Sequence, residues 1–179
     1  MKKTIIYFVL LLLLGVVHEG YAKIWTPSIL SDNMVLQQNS EVTIWGWTTH
    51  TSEKITVIGS WSDTIVTTEA YQGEWSVKIA IPKAGGPYTL RIEGHEELLI
   101  KNVLIGEVWI ASGQSNMEWT PMQGLLNAEE EIKNAKYPRI RFFKVDRHIA
   151  KFPQNNTPGK WVECSPETMK NFSSIAYFF

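Results

Sequence analysis

The sequence predicts an N-terminal antiparallel β-sandwich, residues 23–102, followed by the truncated start of an α/β domain, residues 103–179. Three observations carry that expectation. Six short strand-like runs separated by turn residues fill the first region. A nearly continuous apolar run opens the second, with a helical and then a strand-like pattern behind it. The chain then stops on "FSSIAYFF", which has no charge or turn residue at its end.

The strands of the first region are "VTIWGW" (42–47), "KITVIG" (54–59), "DTIVTT" (63–68), "EWSVKIAI" (74–81), "PYTLRIEG" (87–94) and "EELLIKN" (96–102). In the fourth, Trp75, Val77, Ile79 and Ile81 alternate with Ser76, Lys78 and Ala80, the period of a strand with one face buried. Gly73, Gly85-Gly86-Pro87 and Gly94-His95 supply the reversals between strands. Short strands with regular turns and no convincing helix point to a sandwich. Trp45 and Trp47 share one strand face and are expected to fill its core, since large aromatics dominate core burial. On an outer surface the same rings would stack on sugars, the mark of a glycan-binding module.

In the second region "VLIGEVWIAS" (103–112) reads as a strand covered on both faces, above all in its apolar stretch 108–111. Residues 129–135 look helical and Pro138 closes that pattern, after which "RIRFFKV" (139–145) reads as a strand. Strand, helix and strand make a βαβ unit. One such unit does not complete a doubly wound sheet, so this domain is expected to be cut short.

The first 22 residues read as an export signal. Lys2 and Lys3 precede an apolar core, and "HEGYA" ends in Ala22. The apolar stretch is short against the ~20 residues of a membrane span. Cleavage would leave a periplasmic or extracellular protein with no membrane attachment; an uncleaved anchor is the alternative. The formal charge of −1 and hydrophobic fraction of 44% exclude a basic nucleic-acid surface and an acidic disordered tail. Cys164 is the only cysteine, so no disulfide forms within the chain, and its environment suggests a packed apolar residue. No H-E-x-x-H and no His/Cys cluster is present, so neither metal nor cofactor is expected.

The stretch "IASGQSNMEW" (110–119) carries the chemistry. Ser115 follows Gly113 and Gln114 beyond the end of an expected strand, where α/β sheets bind their ligands. A serine there exposes its hydroxyl beside backbone N–H groups able to hold an oxyanion, and Gly113 would tolerate a positive φ. Ser115 through Glu118 is equally S-x-x-E, a helix-capping box with no chemistry. Spacing alone leaves both readings open.

The block "IGEVWIASGQSNMEW" (105–119) closely resembles the start of the catalytic domain in sialate O-acetylesterase-like proteins. These are secreted members of the SGNH (GDSL-like) hydrolase superfamily, whose catalytic domain is flavodoxin-like α/β. "LSDNMVLQQNSEVTIWGW" (30–47) and "AGGPYTL" (84–90) resemble the family's N-terminal β-domain, and "RIRFFKV", "GKWVEC" and "NFSSIAYFF" follow in the family's order. The resemblance implies Ser115 as nucleophile, its own backbone N–H in the oxyanion hole, and Gly113, Gln114 and Asn116 shaping the site. It implies a carboxylic-ester hydrolase acting on an O-acetylated sugar, O-acetylated sialic acid first. It also implies an Asp-x-x-His block and further glycine and asparagine donors that this sequence does not contain. His50 and His95 fall in the β region, and Asp146-Arg147-His148 has the wrong spacing and order. The chain by itself is therefore expected to be inactive. A glycan-binding or structural β-module is the alternative.

Overall fold

Alternation writes the first sheet. In β3 (Ser40–Thr48), Ile44, Gly46 and Thr48 are buried while Trp45 and Trp47, on the other face, are half-buried. Strand β6 (Glu74–Ile81) buries Trp75, Ile79 and Ile81 and pairs antiparallel with β3, Ile44 opposite Val77 and Trp47 opposite Glu74. The short β1 (Ile24–Trp25) completes three strands in the order β1-β3-β6. The computed structural model describes residues 23–179; the expected export signal lies outside them.

The second sheet has five strands in the order β2-β8-β7-β4-β5. These are β2 (Val35–Gln37), β4 (Lys54–Gly59), β5 (Ile65–Glu69), β7 (Gly85–Glu93) and β8 (Glu97–Gly106). Ile55, Val57, Leu90, Ile92, Ile100 and Ile105 turn inward and share one core with Ile44, Trp75 and Ile79 of the first sheet. Burial of this shared apolar face drives the two layers together.

Three expectations are corrected by the sheets. The second sheet is mixed, not antiparallel, because β2 pairs parallel with β8. Neither β1 nor β2 was foreseen, being too short to show a period. Gly85-Gly86-Pro87 is not a turn but the irregular start of β7, with register shifts at Gly85/Tyr88 and Tyr88/Leu90. Trp45 and Trp47 do share a face, but it is the outer one. The inner face at their level is taken by Ile44, Gly46 and the ring of Trp75.

Strand β8 also departs from expectation. It runs across Asn102 to Gly106, and Asn102 sits at φ 56, which interrupts the alternation. Val103, Leu104 and Ile105 are consequently buried in succession. The doubly covered segment is thus the end of β8, whereas residues 108–111 form no strand, with Trp109 68% and Ile110 91% exposed.

Beyond the sheets, α1 (Ala128–Asn134) forms where a helix was expected, with Glu129, Glu130 and Glu131 in its first turn and Lys133 in its last. Those charges suit the helix dipole. Pro138 stands inside β9 (Tyr137–Phe143), which pairs antiparallel with β10 (Trp161–Cys164). No βαβ unit forms among the described residues, because the expected strand ends at Gly106 as part of β8 in the second sheet and β9 pairs antiparallel with β10 instead. Short helices α2 (Pro166–Met169) and α3 (Ser174–Phe178) follow. Ile132, Phe142, Cys164 and Met169 make a second small core, with Phe172 stacked on Phe142 at 3.9 Å. Burial pushes the Cys164 thiol up, as for a packed, inert cysteine.

The two cores are tied by polar contacts at Asn102. Its side-chain amide donates to Asn33 at 2.7 Å and to Glu163 at 2.9 Å, and its oxygen accepts from Arg141 at 3.2 Å. Trp161 Nε1 donates to the carbonyl of Ile29 at 2.8 Å. Among the described residues no helix is long and apolar enough to cross a membrane.

Candidate active site

The segment leaving β8 is clamped at its start. Gln37 and Gln38 of the adjoining β2 end donate to the Glu107 carboxylate at 3.0 and 2.6 Å, and Val108 N–H donates to Gln37 at 2.8 Å. The two amides lower the Glu107 pKa against a small opposing effect of burial. The chain then runs without regular structure to Ser115, Trp109 meeting Phe179 edge-on at 5.0 Å.

Ser115 is the first residue of a 3-10 turn, Ser115–Glu118. Gln114 holds the cap position in extended conformation and makes no side-chain cap bond. The capping-box reading is therefore not realised: Ser115 sits one place inside the turn, and among the described residues its hydroxyl makes no hydrogen bond. The turn closes through Met117 N–H on the Gln114 carbonyl at 2.9 Å. The N–H groups of Ser115 and Asn116 precede that first bond and have no acceptor within the turn. Gly113, Gln114, Ser115 and Asn116 are all exposed. Gly113 is not at positive φ, contrary to expectation; its need is for room, since a Cβ there would stand 2.7 Å from Met117 Cγ.

Residues distant in sequence frame the turn. Arg147 Nε donates to Glu118 at 2.6 Å, and Ser174 N–H donates to the Trp119 carbonyl at 2.8 Å. An open cleft of about 430 Å³ lies alongside, lined by Glu118, Thr120, Gln123, Lys144, Val145, Asp146 and Arg147. Ser115 borders the cleft's turn without lining it. No sequence pattern announced this cleft, because its walls come from segments some 29 positions apart.

Among the described residues one carboxylate–histidine pair forms, but not beside Ser115. Glu53, its side chain 1% exposed, accepts from His95 Nδ1 at 2.8 Å and also from the Thr48 hydroxyl and the His95 N–H. His50 stacks on the His95 ring at 4.3 Å. This cluster adjoins the start of β8, whereas Ser115 lies beyond its end, and ten strand residues span about 30 Å. The pair ties the β3–β4 loop to the β7–β8 hairpin. His148 is exposed on a loop.

Glu53 gives the fold an acid-sensitive contact. Burial pushes its pKa up, but the bonds from Thr48 and His95 outweigh that and hold it below the ordinary glutamate value. A carboxyl so held adds stability above its unfolded pKa, about 4.3, and loses it as pH falls through the folded value. Glu53→Gln is expected to destabilise the chain by about 1–3 kcal/mol at neutral pH, the cost of leaving buried donors poorly paired. Urea denaturation across pH should show that difference shrinking on acidification; a gap constant from about pH 7 to about pH 3 would contradict it.

No family model matches the chain. A carbohydrate acetylesterase from Xanthomonas citri, solved by crystallography, aligns with a TM-score of 0.81 at 33% identity, over 87% of this chain and 36% of its own. The sialate O-acetylesterases of Homo sapiens and Pongo abelii are each 32% identical over 66% of this chain and 24% of their own length. The fold and the sequence similarity thus place the chain among relatives of carbohydrate acetylesterases. More particularly, it belongs to a sialate O-acetylesterase-like family. The chain spans about a quarter of the length of those two relatives.

Proposed function

We propose that this chain is the nucleophile-bearing part of a secreted carbohydrate esterase that removes O-acetyl groups from sugars by a serine acyl-enzyme mechanism. In this reading residues 1–22 are a cleaved export signal, 23–102 a β-sandwich domain, and 103–179 the beginning of an SGNH-type α/β domain. The observation that carries it is Ser115, exposed at the head of a 3-10 turn within "GQSNM", in a chain about one-third identical to acetylesterases.

The chemistry follows from the placement. A base takes the Ser115 proton as Oγ attacks the acetyl carbonyl carbon, and the tetrahedral oxyanion is held in part by the Ser115 N–H. Collapse releases the sugar hydroxyl and leaves an acetyl ester on Ser115; water then releases acetate and restores the serine. The cluster of His50, Glu53 and His95 is committed to the other end of β8, so the base belongs to a segment outside this sequence. Gln114 and Asn116 flank the nucleophile and shape its approach. O-acetylated sialic acid is the first candidate substrate.

The test joins this chain to the remaining segment of the Xanthomonas citri acetylesterase and measures acetate release. Substrates are O-acetylated sialic acid and an O-acetylated neutral polysaccharide. Turnover of the sialic acid ester supports the full reading. Turnover of the polysaccharide alone keeps the esterase and changes the sugar. Acetate release from neither, by a folded fusion, overturns the proposal.

A further inference from the structure

The outer face of the three-stranded sheet carries four aromatic rings, of which Trp45 also packs against the main core while Trp25, Trp47 and Tyr71 belong to neither core. Trp25 lies opposite Trp47 across β1 and β3, and their rings stack at 6.1 Å with 22° between planes. Trp47 in turn lies opposite Glu74, and Glu74 forms a bridge with Tyr71, so the four side chains share one face in a row. Tyr71 is 76% exposed and Trp25 38%. Trp45 stands two residues along β3, about 7 Å away on the same face, opposite the exposed Ser76.

We propose that this face is a binding platform for the pyranose rings of a neutral glycan, separate from the serine turn. Flat indole and phenol faces match the apolar C–H faces of pyranoses, and the electron-rich ring face attracts those hydrogens. A sugar also carries hydroxyls around its rim, which need donors and acceptors. Glu74 and Ser76, opposite Trp47 and Trp45, supply them beside the rings. Charge selects among glycans. Lys78 is paired with Glu41 at 3.0 Å, and Glu74 forms no ion pair among the described residues. An anionic sugar would meet repulsion there, and a neutral one would not.

The platform concerns the β-region alone and is read without ester hydrolysis, so its failure is distinguishable from failure of the Ser115 reading. Intrinsic tryptophan fluorescence of the full chain is followed during titration with cellohexaose, xylohexaose, mannohexaose and 3′-sialyllactose. Saturable binding of at least one neutral hexasaccharide is expected, with Kd of about 10⁻⁴ M and at least about tenfold weaker binding of sialyllactose. Trp47→Ala and Trp25→Ala should each weaken it about tenfold, while Trp47→Phe keeps it within about threefold. Circular dichroism checks that each variant folds, and Trp25, exposed at the sheet edge, is the safer of the two truncations. Absence of binding to all three hexasaccharides up to about 10 mM overturns the proposal. So does binding that survives both alanine variants, tighter binding of sialyllactose, or a dimer that Trp25→Ala dissociates, which would give this face to a second copy.

Discussion

Ser115→Ala is expected to lower acetate release by about 10⁴-fold or more in the fusion that completes the proposed site, because a nucleophile's loss removes the covalent route itself. Stability should barely change. Ser115 is exposed and gives no cap bond, so the usual cost of about 1 kcal/mol for losing a helix cap does not apply. The pairing of these two readouts is the discriminating measurement. A variant that keeps turnover removes Ser115 from the chemistry. One that loses turnover and stability together makes Ser115 a structural residue. The 179-residue chain alone is expected to leave an acetyl-ester chromogenic substrate untouched. Robust hydrolysis by it, abolished by Ser115→Ala, would require a base among the residues present.

The second large effect falls in the fold. Gly46→Ala is expected to destabilise the chain by about 3 kcal/mol or more, an added methyl doing more damage than most deletions. A Cβ at Gly46 would overlap the Trp25 carbonyl oxygen and stand 2.8 Å from Cζ2 of the Trp75 ring. The first obstacle is backbone and the second is a core ring, so neither yields cheaply. Gly106→Ala serves as the control, since the nearest atom to its Cβ is Val35 Cγ1 at 3.8 Å. Its cost should stay below about 1 kcal/mol. Urea denaturation of the two variants at equal protein concentration measures the contrast; equal costs would refute the account. Against a total stability of about 5–15 kcal/mol, the Gly46 variant loses a large share.

Gly46 also explains why the tryptophans face outward. Gly46 leaves room on the inner face for the Trp75 ring and for the close approach of the paired β1 backbone, so the strand takes the register in which Ile44, Gly46 and Thr48 face in and Trp45 and Trp47 face out beside Trp25.

Local pattern by itself located the strands at 42–47, 54–59 and 74–81 and a helix at 129–135, which the structure has as Ser40–Thr48, Lys54–Gly59, Glu74–Ile81 and Ala128–Asn134. Pattern left Ser115 open between helix cap and nucleophile; the family resemblance alone implied the nucleophile and an Asp-x-x-His block that this sequence does not contain. Periodicity records which residues share a face, and composition records what chemistry they can do. Neither records which face is inside. That was decided only in three dimensions: Trp45 and Trp47 out, Val103–Ile105 in across the φ break at Asn102, and residues 108–111 left exposed where a strand was expected. Tertiary contact likewise made β2 a parallel neighbour of β8 and set the Glu53–His95 pair at the end of β8 away from Ser115. The physical reason is common to all of these. Burial depends on what a neighbouring element leaves room for, and that neighbour lies tens of residues away in the chain.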